Sequence, residues 1–164
     1  MIIGNGDIGS VIKDRKGFIF FASGVSNSRE TDESEYQREE VLLLKQDPSQ
    51  HLVYFSSLAI FSNDTRYLEH KRTMEKIVKN YFKHYTIVRL GNIDWGDNPH
   101  TLINYFRNQI RKGETLEIKD EYRFIVDKDE FLYWMNLIPE WSCEMNIPGR
   151  RLKVKEVIEK YVNA

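Results

Sequence analysis

At 164 residues with 41% hydrophobic side chains, the chain is long enough for one substantial core and too short for two ordinary domains. Its 24 basic and 25 acidic side chains leave a net charge of −1 without a long run of either sign, which argues against nucleic acid or an anionic membrane as a partner. The single cysteine, Cys143, excludes an internal disulfide, and no apolar run approaches the roughly 18 residues of a membrane span.

In chain order, residues 1–3, 17–22, 51–55 and 85–90 are short apolar runs that read as buried strands. Each is followed by a segment with helical spacing. Ile8, Val11 and Ile12 predict a first helix that stops near Asp14. Asp32 and Glu35 resemble a capping pair ahead of Tyr36, Val41 and Leu44, in a helix ending before Pro48. Met74, Ile77, Val78, Tyr81 and Phe82 mark a third helix, and residues 101–112 a fourth, closed by Gly113. Beyond it the chain predicts a strand pair around 116–125, a helix around 128–137 and a last helix around 153–162. Strands alternating with helices imply an α/β fold with a parallel sheet. No repeat or linker divides it, so residues 1–164 are expected to form a single compact domain. A small lobe is expected mainly from about residue 97 onward.

Gly4-Asn5-Gly6-Asp7-Ile8-Gly9 fits G-x-G-x-x-G between a strand and a helix. In that arrangement a pyrophosphate meets the free N–H groups of a helix N-terminus. A plain strand-to-helix turn without a ligand is the competing explanation. Asp7 is unfavourable beside phosphate unless it points away or caps the helix. Met1 leads directly into this turn, so no leader is expected, and a cytoplasmic setting follows.

The third strand ends in Ser56-Ser57, and Tyr67 and Lys71 then open a helix four residues apart on one face. An ammonium beside a phenol lowers the phenol's pKa from about 10 toward the range useful to a general base. A serine hydroxyl from the strand end would hold the substrate oxygen. A lone Tyr-x-x-x-Lys is a chance-level motif in a chain with nine tyrosines. Its weight comes from its place, at a helix start, after Ser-Ser and downstream of the glycine turn.

Four further stretches carry a resemblance: Phe20-Phe21-Ala22-Ser23-Gly24-Val25-Ser26, Val53-Tyr54-Phe55-Ser56-Ser57-Leu58-Ala59-Ile60-Phe61, Val88-Arg89-Leu90-Gly91-Asn92-Ile93-Asp94-Trp95-Gly96 and Tyr122-Arg123-Phe124-Ile125-Val126-Asp127. With the glycine turn and Tyr67/Lys71 they resemble, in order and over nearly the whole chain, the extended short-chain dehydrogenase/reductase superfamily. The likeness is to its NAD-dependent sugar-nucleotide epimerases and dehydratases. The resemblance implies a reduced Rossmann-like parallel sheet flanked by helices, with a small C-terminal lobe. It implies catalytic Ser57, Tyr67 and Lys71. It implies a cofactor site for NAD or NADP on Gly4, Gly6, Asp7, Ile8, Gly9, Ala22, Ser23, Gly24, Tyr67 and Lys71. Asn92 and Arg123 would bind a nucleotide-linked or related sugar.

The family's second and third strand-helix units are missing between the first helix and Phe18. They normally supply the residue that reads the adenosine ribose. Glu30 and Asp32 stand near the right count but follow the wrong strand, so neither is assigned that role. Leu58 and Ala59 stand where some dehydratases carry an acidic pair, which disfavours that mechanism. A narrower sheet leaves helix faces such as Val41 to Leu44 in need of cover, and a homodimer through Leu42, Met74, Ile77 and Tyr81 is expected.

His51, His70, His84 and His100 show no metal spacing. Cys143 reads as a packed small hydrophobe, the three tryptophans as packing residues, and Arg150 as a solvated arginine. The sequence supports an oxidoreductase or epimerase, or a non-catalytic nucleotide-binding or oligomerisation module derived from that fold.

Overall fold

The computed structural model describes residues 1–163. Strands β1 (Ile2–Ile3), β2 (Phe18–Phe21), helix α1 (Glu33–Leu44), β3 (His51–Ser57), α2 (Arg66–Tyr81) and β4 (His84–Leu90) follow one another as strand and helix. They are succeeded by β5 (Asn92–Ile93), α3 (Leu102–Arg111), β6 (Tyr122–Val126), α4 (Lys128–Asn136), β7 (Cys143–Ile147), β8 (Arg150–Lys153) and the short α5 (Val154–Val157). The main sheet is parallel throughout, in the order β1-β2-β3-β4-β7. A second sheet, β5-β6-β8, forms beside it.

A parallel strand covered on both faces reads as a continuous apolar run, and β2, Phe-Ile-Phe-Phe, is buried at all four positions. Alternation divides those residues between two cores. Phe18 and Phe20 join Val53, Phe55, Val88, Phe131 and Met135 beneath α4. Ile19 and Phe21 join Leu43, Leu52, Tyr54, Met74 and Val78 beneath α1 and α2. Asp32 caps α1 by accepting from the Ser34 N–H at 2.9 Å, and Thr65 caps α2 by accepting from Leu68 N–H at 3.3 Å. Each satisfies a donor that the first turn of a helix leaves free.

Four sequence expectations change. The helix expected after the glycines is a single turn, closed by Ser10 N–H to Gly6 O at 2.9 Å and Val11 N–H to Ile8 O at 3.3 Å. Ile8, Val11 and Ile12 still pack into the first core, so the apolar spacing holds while the regular helix does not. The strand pair expected around 116–125 reduces to β6, which finds its partners in β5 and β8 instead. The last helix is regular only over α5 and widens into a π-turn over Ile158–Val162. Met74, expected at a dimer interface, is fully buried against its own sheet. The α1 and α2 faces leave Val41, Leu44 and Tyr81 exposed. β7 closes the sheet against β4 although its sequence mixes polar and apolar residues. Glu144 within it is accommodated by Arg89 at 2.6 Å and by Lys79.

Candidate active site

Because the strands of the main sheet are parallel, the chain leaves β1, β2 and β3 at one edge. There it forms the glycine turn, Ala22-Ser23-Gly24 and Ser57. The carboxyl edge of such a sheet is where ligands of doubly wound folds lie.

Within the turn the three glycines do different work. Gly4 has φ +100, and a Cβ there would stand 2.5 Å from the Ala22 carbonyl oxygen. A Cβ on Gly9 would stand 2.3 Å from the Gly4 oxygen. Backbone packing therefore dictates both. Gly6 has no left-handed φ, and nothing lies within 4 Å of where its Cβ would be. Of the nine glycines, it alone has neither a left-handed φ nor a neighbour that excludes a side chain. Its bare backbone fits a group approaching from outside, the role of the second glycine in a dinucleotide fingerprint.

Asp7 points away from that approach. Its carboxylate accepts from the N–H groups of Asp97 and Asn98, each at 3.1 Å, while its carbonyl accepts from the Trp95 indole at 2.9 Å. Asp7 thus caps the 96–98 turn rather than its own helix. Gly96, at φ +89, gives it room, since a Cβ there would overlap the carboxyl group. Ile8 packs in the core. Ala22 N–H bonds back to Ile3 O at 2.7 Å, and the Ser23 carbonyl accepts from Arg38 at 3.1 Å.

Helix α2 carries Tyr67 and Lys71 to the same edge, with the Lys71 ammonium 5.6 Å from the centre of the Tyr67 ring. Lys71 is 3% exposed and Glu39, opposite it on α1, is 0% exposed. The Lys71 ammonium donates to Glu39 Oε1 at 3.3 Å and to the Tyr54 hydroxyl at 3.1 Å. Glu39 also accepts from Tyr54 at 2.6 Å and from the Val25 N–H at 2.7 Å, and His70 Nε2 lies 3.0 Å away. Burial opposes its charge, yet the Lys71 ammonium and these bonds hold the carboxyl well below the usual carboxylate range. Burial likewise opposes the charge on Lys71, but Glu39 keeps it above its ordinary value.

The expectation that Lys71 lowers the Tyr67 pKa is corrected here. Burial raises it above 10, and the pull of Lys71 is opposed by Glu39. Tyr67 is therefore a phenol at neutral pH, a hydrogen-bond donor and acid rather than a ready base.

Ser57 caps the short 3-10 turn Leu58–Phe61, its Oγ accepting from the Ala59 N–H at 3.2 Å. Its own proton remains available. Asn92 and Arg123 belong to the second sheet. Asn92 Nδ2 donates to Phe124 O at 3.1 Å, and Arg123 pairs with Glu121 at 2.8 Å. Glu39, Tyr54 and His70 were not singled out from the sequence. The signal for Glu39 is an acid inside the buried stripe Tyr36, Glu39, Leu43, where an unpaired carboxylate would be costly.

No family model and no curated protein matches the sequence. Solved structures do. The Bordetella bronchiseptica enzyme WbmG in complex with NAD superposes with a TM-score of 0.68 at 17% identity, over 90% of this chain and 56% of that one. A UDP-N-acetylglucosamine 4-epimerase from Methanobrevibacter ruminantium gives 0.59 at 12% identity, over 87% and 58%. The Thermus thermophilus UDP-glucose 4-epimerase complexed with NAD gives 0.62 at 17% identity, over 87% and 60%. The chain has the Rossmann-like α/β fold of the NAD-dependent sugar-nucleotide epimerases, and it spans little more than half the length of these enzymes.

Proposed function

We propose that the chain binds a nicotinamide dinucleotide, NAD or NADP, across the carboxyl edge of the main sheet and acts on a hydroxyl or carbonyl of a nucleotide-linked sugar. The observation that carries this reading is Gly6, a glycine without a structural reason of its own, in the one turn where a pyrophosphate would need bare backbone. The neighbours whose complexes contain NAD support it at the level of the fold. The glycine turn and Ala22-Ser23-Gly24 would hold the dinucleotide, which when bound supplies the hydride chemistry. Ser57 offers its free proton to the substrate oxygen and Tyr67 carries the proton that this oxygen gains or loses. Lys71 stabilises the charge on Tyr67. Asn92 and Arg123 would contact the sugar nucleotide. One compact domain, homodimerisation through the exposed α1–α2 face and a cytoplasmic setting complete the proposal. No helix among the described residues is long and apolar enough to cross a membrane.

Titration calorimetry with NAD, NADP and their reduced forms tests it. Gly6→Ala adds a methyl where the fold has space, so the variant folds as the parent does but loses affinity by at least about tenfold, near 1.4 kcal/mol. Equal affinity in parent and variant, or no binding to the folded parent at millimolar nucleotide, overturns the reading. A non-catalytic module is favoured by one observation, the engagement of Lys71 by Glu39 and Tyr54. On that reading Tyr67→Phe leaves every property of the protein unchanged.

A further inference from the structure

The buried acid opposite Lys71 has no part in the scheme above, and its geometry is more constrained than that of any group within it. Four donors converge on Glu39: the Lys71 ammonium, the Tyr54 hydroxyl, His70 and the Val25 N–H. They come from α2, β3 and the loop after β2, so the carboxylate cannot turn without breaking bonds to three segments. Gly24 completes the arrangement. A Cβ at Gly24 would stand 2.8 Å from Lys71 Nζ and 3.0 Å from Glu39 Oε1, so any larger residue there would press on the clamp, at a position expected to serve only the cofactor.

Resting on the reading that Tyr67 is the reacting hydroxyl, we infer that Glu39 is a positioning residue: it holds the Lys71 ammonium against Tyr54 and thereby sets how much of that charge reaches Tyr67. Lys71 lies one helical turn from Tyr67 and has the reach to serve it directly. The ammonium instead donates its two hydrogen bonds to Glu39 and Tyr54. The groups that act on this ammonium are Glu39 from α1, Tyr54 from β3, and Tyr67 and Glu75 from α2. Burial raises the Tyr67 pKa, and of the two charges that act on it Lys71 pulls it down while Glu39 opposes that pull.

The test follows Tyr67 itself, in the full chain without nucleotide, by NMR titration of ring-labelled tyrosine with Tyr67→Phe as the assignment control. The parent titrates above 10. In Glu39→Gln the clamp is released and the anion is gone, and the midpoint falls by about one pH unit or more. Glu39→Asp, which keeps the charge, returns it toward the parent value. A midpoint that stays or rises in Glu39→Gln overturns the inference. Should Glu39→Gln fail to fold, Tyr54→Phe removes the hydroxyl that anchors the ammonium while leaving both charges in place. A lowered Tyr67 midpoint there supports the inference and an unchanged one overturns it. Since no nucleotide is present, this titration can fail while Gly6→Ala still weakens cofactor binding, and the converse holds equally.

Discussion

The glycine turn and the Lys71 clamp sit at the same edge of the sheet and solve opposite problems. The turn presents backbone with space beside Gly6 and makes few demands on its neighbours there. The clamp buries a cation and an anion completely and satisfies them internally. An outside group can meet the first without displacing anything, whereas the second must be protected from change. Function tolerates emptiness at the turn and punishes it at the clamp.

The largest break in that contrast is Lys71→Met. Deleting the cation leaves a buried carboxylate without its counter-charge, and the fold should lose roughly 3–5 kcal/mol, read as a lower urea midpoint with an unchanged slope. Next comes the pair within the turn itself. Gly9→Ala forces a methyl onto the Gly4 oxygen and should cost about 1–3 kcal/mol, whereas Gly6→Ala should be neutral or stabilising by about 0.4–1 kcal/mol. Equal effects at the two positions would remove the basis for treating Gly6 as ligand-facing.

The clamp also has a pH signature. Glu39 is held below its ordinary value in the folded state, so its contribution is present above the unfolded carboxylate pKa of about 4.3 and is lost as pH falls toward the folded value. Lys71 is held above its ordinary value, so its contribution is complete below about 10.4 and fades as pH rises beyond it. Urea unfolding followed against pH should show an acid limb that is shallower in Glu39→Gln than in the parent. The smallest effect belongs to Tyr67→Phe, a half-buried hydroxyl whose removal should shift stability by less than about 1 kcal/mol. It separates a catalytic role from a structural one, because under the enzyme reading turnover disappears while the fold persists.

Much of this architecture is written locally in the sequence. The runs that became β2, β3 and β4 declare themselves because a doubly covered strand has to be apolar throughout, and the start of α1 is marked by Asp32, a side chain suited to a cap. β7 is hard to read because, as an edge strand, it alternates exposed Glu144 and Asn146 with Met145 and Ile147 instead of running apolar throughout, and the partners of Glu144, Arg89 and Lys79, lie far away in the chain. The segment after the glycines promises more helix than forms, for the reverse reason. Ile8, Val11 and Ile12 supply the spacing of a helix, but the spacing only needs one turn to place them in the core. At the site, Ser57, Tyr67 and Lys71 were legible as types at intervals. Glu39 is not, since a glutamate in a helix with three others looks like solvated surface until the register places it against Lys71.

Asp7 bears on how a ligand would meet this protein. Three hydrogen bonds accepted by Asp7, two at its carboxylate and one at its carbonyl, tie the glycine turn to residues 95–98. Two segments braced in this way are preorganised: the loss of freedom needed to align them has already occurred on folding and is not charged again at each encounter. On the proposed function, a dinucleotide meeting this turn would dock in a nearly rigid-body way, governed by diffusion and orientation rather than by the closing of one sheet upon the other.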